Sequence, residues 1–363
     1  MNFNFKNITY TRKYYLEHKN EVENDLMRCN AISDNCFYKC LDLTKIIIPN
    51  SINVLDENCF AGCSNLKEIE IPNSVKKINK DCFAGCSNLT KINIPNSVKE
   101  IGEECFTFCM SLTKIEILNS VKEIGCYSFK DCRNLKEIEI PNSINEIIEG
   151  CFEGCENLTK INIPNSITEI HNYCFNRCIN LKEINIPNSV IKIGDYCFST
   201  CSNLKEINIP NSVTKIGDNC FYKCINLSKI NILESSESTN LIDELYYRCF
   251  YGCLNLKEIE IPNSITKLGD YCFGECSNLT KINIPNSITE IGNRCFYRCI
   301  NLQKINILKE LDIPNSIIRL GNKCFTECLN LQEINILESD GFTNTTIKLD
   351  KEHFKECINL KIK

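Results

Sequence analysis

The chain has 363 residues, and its 41 Lys and Arg are nearly balanced by 46 Asp and Glu, which gives a formal net charge of −5. No basic stripe of the kind that binds nucleic acid is visible, and no stretch approaches the ~18 consecutive apolar residues of a transmembrane segment. The N-terminal residues are polar and lack the apolar core of a secretory signal. We therefore expect a cytoplasmic protein in which the thiols of its 28 cysteines stay reduced.

Residues 1–28 carry no repeat and are polar, with interspersed tyrosines. A repeat array has to cover the apolar cross-section at its ends. We therefore predict that residues 1–28 form an N-terminal cap that is partly helical.

Residues 29–363 consist of about fourteen repeats, most of them 23 residues long. The clearest mark of each repeat is a phenylalanine, usually within Cys-Phe-x-x-Cys, and three of the spacings are 29 residues instead of 23. The fourteen phenylalanines are Phe37, Phe60, Phe83, Phe106, Phe129, Phe152, Phe175, Phe198, Phe221, Phe250, Phe273, Phe296, Phe325 and Phe354. All ten prolines also occupy one repeated tetrapeptide, Ile-Pro-Asn-Ser. Such regularity indicates a stacked array of units that bury their apolar residues against one another.

One unit, residues 66–88, reads Leu-x-x-Ile-x-Ile-Pro-Asn-Ser-Val-x-x-Ile-x-x-x-Cys-Phe-x-x-Cys-x-x. The alternation in Ile-x-Ile predicts a strand, and Pro72 ends it because proline has no N–H for the sheet. Asn-Ser favours a turn, and Val75 and Ile78 supply a second apolar face. The spacing of apolar residues in Cys-Phe-x-x-Cys predicts a short helical turn.

This pattern resembles the BspA-like, or Treponema pallidum-type, class of leucine-rich repeats. The residue before phenylalanine is usually Ala in that family, whereas here it is Cys in twelve units. The resemblance implies a right-handed, curved solenoid with a parallel β-sheet on one face and turns and short helical segments on the other. It also implies a surface or host-interaction protein, or a protein-binding scaffold.

Three insertions, near residues 233–240, 308–313 and 338–345, account for the longer spacings. Insertions in repeat proteins often lie on a functional face, but we favour the simpler interpretation that they are tolerated surface loops. The last repeat, around His353 and Cys357, is degenerate, and we predict that it caps the array.

The cysteines allow three interpretations: apolar core, disulfides or metal ligands. Twelve precede the repeated phenylalanine and fourteen lie three residues after it, and both positions are apolar in the repeat. A free cysteine packs as a small hydrophobic residue, so we favour the core over disulfides, and disulfides over zinc. Cys126 lies outside both positions, after Gly125 where other repeats carry polar residues, and we predict that it is an exposed thiol.

Nothing in the sequence indicates catalysis. The histidines, His18, His171 and His353, lie in different parts of the chain, and no Ser-His-Asp spacing, phosphate-binding glycine loop or metal-ligand motif is present. We therefore predict no catalytic, cofactor or metal site and a protein that is not an enzyme.

Two surfaces are candidates for binding. At the exposed strand positions, Lys and Glu of neighbouring repeats can pair, and the side-chain amides of stacked Asn residues can form hydrogen bonds with one another. The polar groups of this face are therefore expected to bond to each other. Tyrosines cluster beside the phenylalanines of the C-terminal half, and tyrosine and arginine concentrate binding energy in interfaces. The candidate partner-binding residues are Tyr222, Tyr251, Tyr271, Tyr297 and Arg298. The alternative is that these rings only cover the phenylalanines.

The sequence therefore predicts a non-catalytic scaffold for protein–protein interaction, with a protein partner of unknown identity. The alternative is an adhesin-like protein at the cell surface or on a particle, which reaches the exterior by an unconventional route and contacts host or matrix proteins. Association with a second copy of the chain stays open.

Overall fold

The computed structural model describes residues 9–17, 22–233, 242–309, 319–338, 354–355 and 357. The chain divides into two compact units, Met1–Ile167 with Arg177–Ile179, and Thr168–Asn176 with Asn180–Lys363. In each unit, parallel strands of successive repeats stack in register, which confirms the predicted leucine-rich-repeat solenoid.

Most repeats contribute a longer strand, of three to six residues, from the Ile-x-Ile segment, whereas Lys114 and Glu260 form only isolated bridges to the next repeat. In the first unit these strands are Lys45–Ile47, Glu68–Glu70, Lys91–Asn93, Glu137–Glu139 and Lys160–Asn162. In the second unit they are Glu183–Asn185, Glu206–Ile209, Lys229–Ile232, Lys281–Ile284, Lys304–Lys309 and Glu333–Glu338. Their central isoleucines are buried and the flanking residues exposed, as the alternation predicts.

A second strand of two residues follows the proline turn, in which Val75 N–H donates to Pro72 O over 3.0 Å. In the first unit these short strands are Ala31–Ile32, Val54–Leu55, Lys77–Ile78, Glu100–Ile101, Glu123–Ile124 and Glu146–Ile147. In the second unit they are Glu169–Ile170, Lys192–Ile193, Lys215–Ile216, Glu244–Leu245, Lys267–Leu268, Glu290–Ile291 and Arg319–Leu320. Parallel pairing therefore occurs on two sides of each repeat.

The repeated phenylalanines form a stacked column, here called the phenylalanine column. Ring centroids of neighbouring repeats are 5.1–5.6 Å apart in the first unit, from Phe37 to Phe152. They are 5.3–5.5 Å apart in the second, from Phe175 to Phe354. The rings lie nearly parallel, and the column is the centre of the core in both units.

The Cys-Phe-x-x-Cys segment forms successive turns instead of the short helical segment expected from the sequence. In the first repeat, Tyr38 N–H donates to Asn35 O (3.1 Å) within the turn, whereas Phe37 N–H donates to Cys59 O of the next repeat (2.7 Å). This alternation arises because the residues two before and two after the phenylalanine, Asn35 and Lys39, are left-handed (φ 56° and 54°). An α-helix would keep every N–H inside the segment, whereas here every second one joins neighbouring repeats.

The region before the first repeat contains the strand Thr9–Tyr10, which pairs with Ala31–Ile32, and the helices Arg12–Glu17 and Val22–Leu26. Tyr15 packs edge-to-face on Phe37 at 4.9 Å and covers the first ring of the phenylalanine column. Among the described residues, no helix is long and apolar enough to cross a membrane.

Candidate functional site

The tyrosines singled out in the sequence lie together on one surface of the second unit. They belong to the turns that follow the short strands Lys215–Ile216, Glu244–Leu245, Lys267–Leu268 and Glu290–Ile291. Each turn contributes one or three side chains to this surface, beside the buried phenylalanine. We call the result the tyrosine–arginine surface. It consists of Tyr222, Tyr247, Arg248, Tyr251, Tyr271, Arg294, Tyr297 and Arg298.

The four predicted tyrosines form a continuous row. Tyr222 and Tyr251 stack with centroids 5.5 Å apart, and Tyr251 contacts Tyr271 edge-to-face at 6.1 Å. Tyr271 meets Tyr297 in the same way at 6.3 Å. The rings are half-buried and hold one another in place, so their orientation is fixed before any partner arrives.

Guanidinium groups lie between these rings. Arg248 is over the rings of Tyr247, Tyr251 and Tyr271, at 4.9, 5.3 and 5.1 Å from their centroids. Arg294 lies 5.6 and 5.9 Å from the centroids of Tyr271 and Tyr297, and its Nη1 donates to the Tyr271 hydroxyl. Each contact of this kind stabilises by ~0.5–1 kcal/mol where it is exposed.

Arg298 was predicted from the sequence, whereas Arg248 and Arg294 were not. Both belong to the tetrapeptide Arg-Cys-Phe-Tyr, which occurs at residues 248–251 and 294–297. This recurrence places an arginine three residues before two of the predicted tyrosines, and it is the signal by which the two arginines could have been found.

Arg298 is neutralised within the surface. Its Nε donates to Glu327 Oε2 over 2.6 Å, and its Nη1 lies 3.9 Å from Glu275 Oε1. The hydrogen bond from Arg298 lowers the pKa of Glu327. Burial, followed by hydrogen bonds to Glu275 and Glu327 respectively, raises the pKa of Tyr251 and of Tyr297. The hydroxyl groups of both tyrosines therefore stay protonated at neutral pH and act as hydrogen-bond donors.

Two residues before the phenylalanine, the backbone of this surface is left-handed at three side chains that do not favour it. Arg248, Tyr271 and Arg294 have φ of 50°, 55° and 52°. Other repeats carry Asn or Gly at the same position, for example Asn219 and Gly150, which adopt this conformation at lower cost. Tyr173 and Lys323 occupy this position outside the surface, so the fold also accepts large side chains there, at the cost of left-handed strain.

Cys126, the predicted exposed thiol, is half-buried. Burial, together with the nearby carboxylates of Glu149 and Glu103, raises its pKa. Cys357 also keeps some accessible surface, whereas the other cysteines are buried. Cys126 is thus more exposed than the core cysteines. That its thiol is also the more reactive stays a prediction.

All 28 cysteines are free. From the second repeat onward, the cysteine three residues after the phenylalanine donates its thiol to a carbonyl of the preceding repeat, as Cys86 Sγ does to Phe60 O at 3.2 Å. Within the ranges that the structure describes, no group of three or more His, Cys, Asp or Glu side chains could hold a metal ion. Apart from Cys357, the cysteines at both repeat positions are buried, which confirms that they pack in the core.

The exposed face of the longer strands satisfies its own polar groups. Lys114 Nζ lies 3.1 Å from Glu137 Oε1, and Asn231 Nδ2 donates to Asn208 Oδ1 over 2.6 Å. The predicted hydrogen bonds between stacked amides are confirmed at these positions. Of the three insertions, most residues lie outside the described ranges, which include only Leu233, Leu308–Lys309 and Glu338.

Comparison with known families and structures gives one consistent result. The family model described as BspA type leucine rich repeat region (6 copies) matches residues 30–149, 122–242 and 243–362. A leucine-rich repeat protein from Bacteroides ovatus is 32% identical with a TM-score of 0.71, over 84% of this chain and 82% of that chain. The leucine-rich repeat protein of T. pallidum is 30% identical with a TM-score of 0.39, over 48% and 72% respectively. A search of curated proteins found no match.

Proposed function

The chain belongs to the family of BspA-type leucine-rich repeat proteins, and from this premise we propose that it is a non-catalytic scaffold for protein–protein interaction. Leucine-rich repeat proteins are commonly protein-interaction scaffolds. The observation that carries the proposal is the row of four tyrosines interleaved with arginines on the second unit. We assign partner binding to this tyrosine–arginine surface.

The composition of the surface supports this assignment. Tyrosine and arginine are the residue types, with tryptophan, that contribute most to binding energy at protein interfaces. The mutual packing of the rings reduces the conformational entropy that binding would otherwise cost. The exposed strand face offers no comparable anchors, because its charges and amides are paired with each other.

The chemistry of the thiols supports a role other than catalysis. A catalytic cysteine needs a lowered pKa, whereas burial raises the pKa of core thiols such as those of Cys105 and Cys220 well above the ordinary value. Even the half-buried Cys126 has a raised pKa, caused first by burial. None of these thiols is activated as a nucleophile.

Partner capture tests the proposal. Crosslinked complexes are isolated from the source cells with tagged wild-type protein and with a variant in which Tyr222, Tyr251 and Tyr297 are replaced by Ser. We expect the variant to lose the captured protein, identified by mass spectrometry. Tyr38→Ser is the matched control, because Tyr38 occupies the same repeat position outside the surface and also has a lysine over its ring, at 5.0 Å. Undiminished capture by the triple variant would reject this binding site.

We also propose a reducing, intracellular location, because the cysteines occupy apolar core positions where a free cysteine packs as a small hydrophobic residue. The sulfurs of Cys59 and Cys82 are only 3.8 Å apart, so oxidising surroundings would favour a bond between them. Cell fractionation combined with a count of free thiols distinguishes the two locations. Mostly reduced cysteines in the cytosolic fraction are expected, whereas oxidised cysteines on protein at the cell surface would favour the adhesin-like alternative.

A further inference from the structure

Two of the three arginines of the tyrosine–arginine surface lack a counter-ion. Arg298 is paired with Glu327 and Glu275. Arg248 and Arg294, in contrast, have no carboxylate within ion-pair distance in the part of the chain that the structure describes. Their guanidinium groups contact tyrosine rings and, for Arg294, the hydroxyl of Tyr271. Two positive charges are therefore held close together without neutralisation.

Arg248 is also short of hydrogen bonds. Its Nε is buried and has no hydrogen-bond partner. The three rings around it contribute π faces, which attract the charge but accept no hydrogen bond in the plane of the guanidinium. An arginine has five N–H donors in a fixed fork, so the donors that reach solvent are free to bind an oxyanion.

The surface itself shows which oxyanion suits its arginines. Arg298 Nε donates to the carboxylate of Glu327 at 2.6 Å, the short distance of a charge-assisted hydrogen bond. Glu327 and Glu275 are paired with Arg298, so only the charges of Arg248 and Arg294 are left uncompensated, and two carboxylates match them better than the denser charge of a phosphate backbone. Tyr271 and Tyr297 each have two guanidinium groups over their rings, which leaves little free ring face for a nucleobase to stack on.

We propose that Arg248 and Arg294 bind two carboxylates of an acidic, extended segment of the partner protein. This inference rests on the proposed function and names the chemistry of the partner. Arg248 and Arg294 lie two repeats apart, and the phenylalanine rings beside them are separated by 5.5 Å at both steps. The two sites are thus roughly 11 Å apart, which an extended chain at ~3.3 Å per residue spans in three to four residues.

The left-handed backbone provides variants that keep the fold. Asn219 occupies the same repeat position as Arg248, with φ 53° against 50°, and Lys323 does so with φ 57°. Arg248→Asn and Arg294→Asn therefore remove the positive charge and the guanidinium donors, and they introduce a residue type that the turn accepts. Arg→Lys at both positions keeps the charge and removes the fork. The matched control is Lys39→Asn with Arg177→Asn, which removes two positive charges at exposed left-handed positions of the other unit.

Selection of displayed peptides tests the inference without knowledge of the partner. Random unphosphorylated peptides are selected on immobilised wild-type full-length protein, on the Arg248→Asn/Arg294→Asn variant and on the control variant. We expect wild-type and control protein to enrich the same peptides, with Asp or Glu at two positions three to four residues apart. Each arginine lost should weaken a selected peptide about tenfold, since it removes a charge-assisted hydrogen bond, and exchange of the acidic residues for their amides should do the same.

Three outcomes would overturn the inference. The first is that no peptides are enriched, or that those enriched show no excess of acidic residues. The second is that the double asparagine variant selects and binds the same peptides as the wild type. The third is that a single-stranded oligonucleotide competes for the surface more strongly than the acidic peptide.

Failure of this inference differs from failure of the scaffold function. Cellular partner capture that is lost on Tyr→Ser substitution but unchanged in the double asparagine variant would keep the scaffold function and reject the acidic segment. Capture that survives both sets of substitutions would reject the binding site itself.

Discussion

Replacement of Phe106 by alanine tests whether the phenylalanine column holds the repeats together. The ring is fully buried and stacks between Phe83 and Phe129, with centroids 5.6 and 5.4 Å away. Collapse into the vacated space is resisted, because Phe106 N–H is bonded to Ser128 O of the next repeat at 2.8 Å. Loss of a buried Phe side chain costs about 3–5 kcal/mol, more where the site cannot relax. We expect the free energy of unfolding to fall by about 4 kcal/mol, measured by urea denaturation with far-UV circular dichroism.

The same turn supplies a matched control. Phe108 is 40% exposed and left-handed (φ 57°), and Gly85 stands at its position in the preceding repeat. Phe108→Gly should change the free energy of unfolding by no more than about 1 kcal/mol, because relief of the left-handed strain offsets the lost contacts. An equal loss for the two variants, or a loss below about 1 kcal/mol for Phe106→Ala, would show that the column is not the source of stability.

Three further predictions follow from single side chains. Alkylation of the native protein, followed by mass spectrometry, should modify Cys126 before core cysteines such as Cys105. The rate of Cys126 alkylation should rise into alkaline pH, because burial raises the pKa of this thiol. Equal rates for the two cysteines would contradict the assignment. Ser128→Cys should alter urea stability by less than about 1 kcal/mol, since the lost bond to Gly102 O is offset by apolar burial; a loss above about 2 kcal/mol would contradict this. Arg12→Ala removes the hydrogen bonds that Nη1 donates to carbonyls of the first turn, including the bond of 2.6 Å to Tyr38 O. We expect faster hydrogen exchange at the backbone amides of this turn. Unchanged exchange would show that Arg12 does not hold the turn.

The stacking of repeats was predictable because the sequence repeats with constant period. Ile69 lies 23 residues after Ile46 and pairs with it in the sheet. Where the spacing grows to 29, Ile305 still pairs with Ile334, so the extra residues leave the register intact. A parallel array of identical units has essentially one way to align its apolar positions, and the sequence period therefore determines the register.

Two features of the fold could not be derived from the local pattern. The short strand Lys77–Ile78 has one exposed and one buried residue, which is too short for a period to be recognised. The apolar spacing of Cys-Phe-x-x-Cys suits a helical turn as well as two successive turns. What decides between them is hydrogen bonding to the next repeat, for example Phe83 N–H to Cys105 O at 2.9 Å, which no single repeat encodes.

The candidate site was partly predictable for the same reason. Tyr222 and Tyr251 share a repeat position in successive repeats, so stacking alone brings them together, whereas Tyr271 from another repeat position links Tyr251 to Tyr297. Arg248 and Arg294 stand before the phenylalanine, and it is the left-handed turn that moves them beside tyrosines of their own and neighbouring repeats. That conformation was not part of the predicted helical turn, and the arginines were therefore missed.

Substitutions at the repeat position two residues before phenylalanine can distinguish a role in stability from a role in binding. The fold requires only a left-handed backbone there, which Asn meets in several repeats. The left-handed backbone costs roughly 1 kcal/mol at each of Arg248, Tyr271 and Arg294, and the cation–π contacts of the two arginines offset this cost approximately. Replacement of all three by Asn should therefore leave the urea midpoint nearly unchanged while partner binding is lost. A lower midpoint would show instead that the ring and guanidinium contacts were retained to stabilise the repeats.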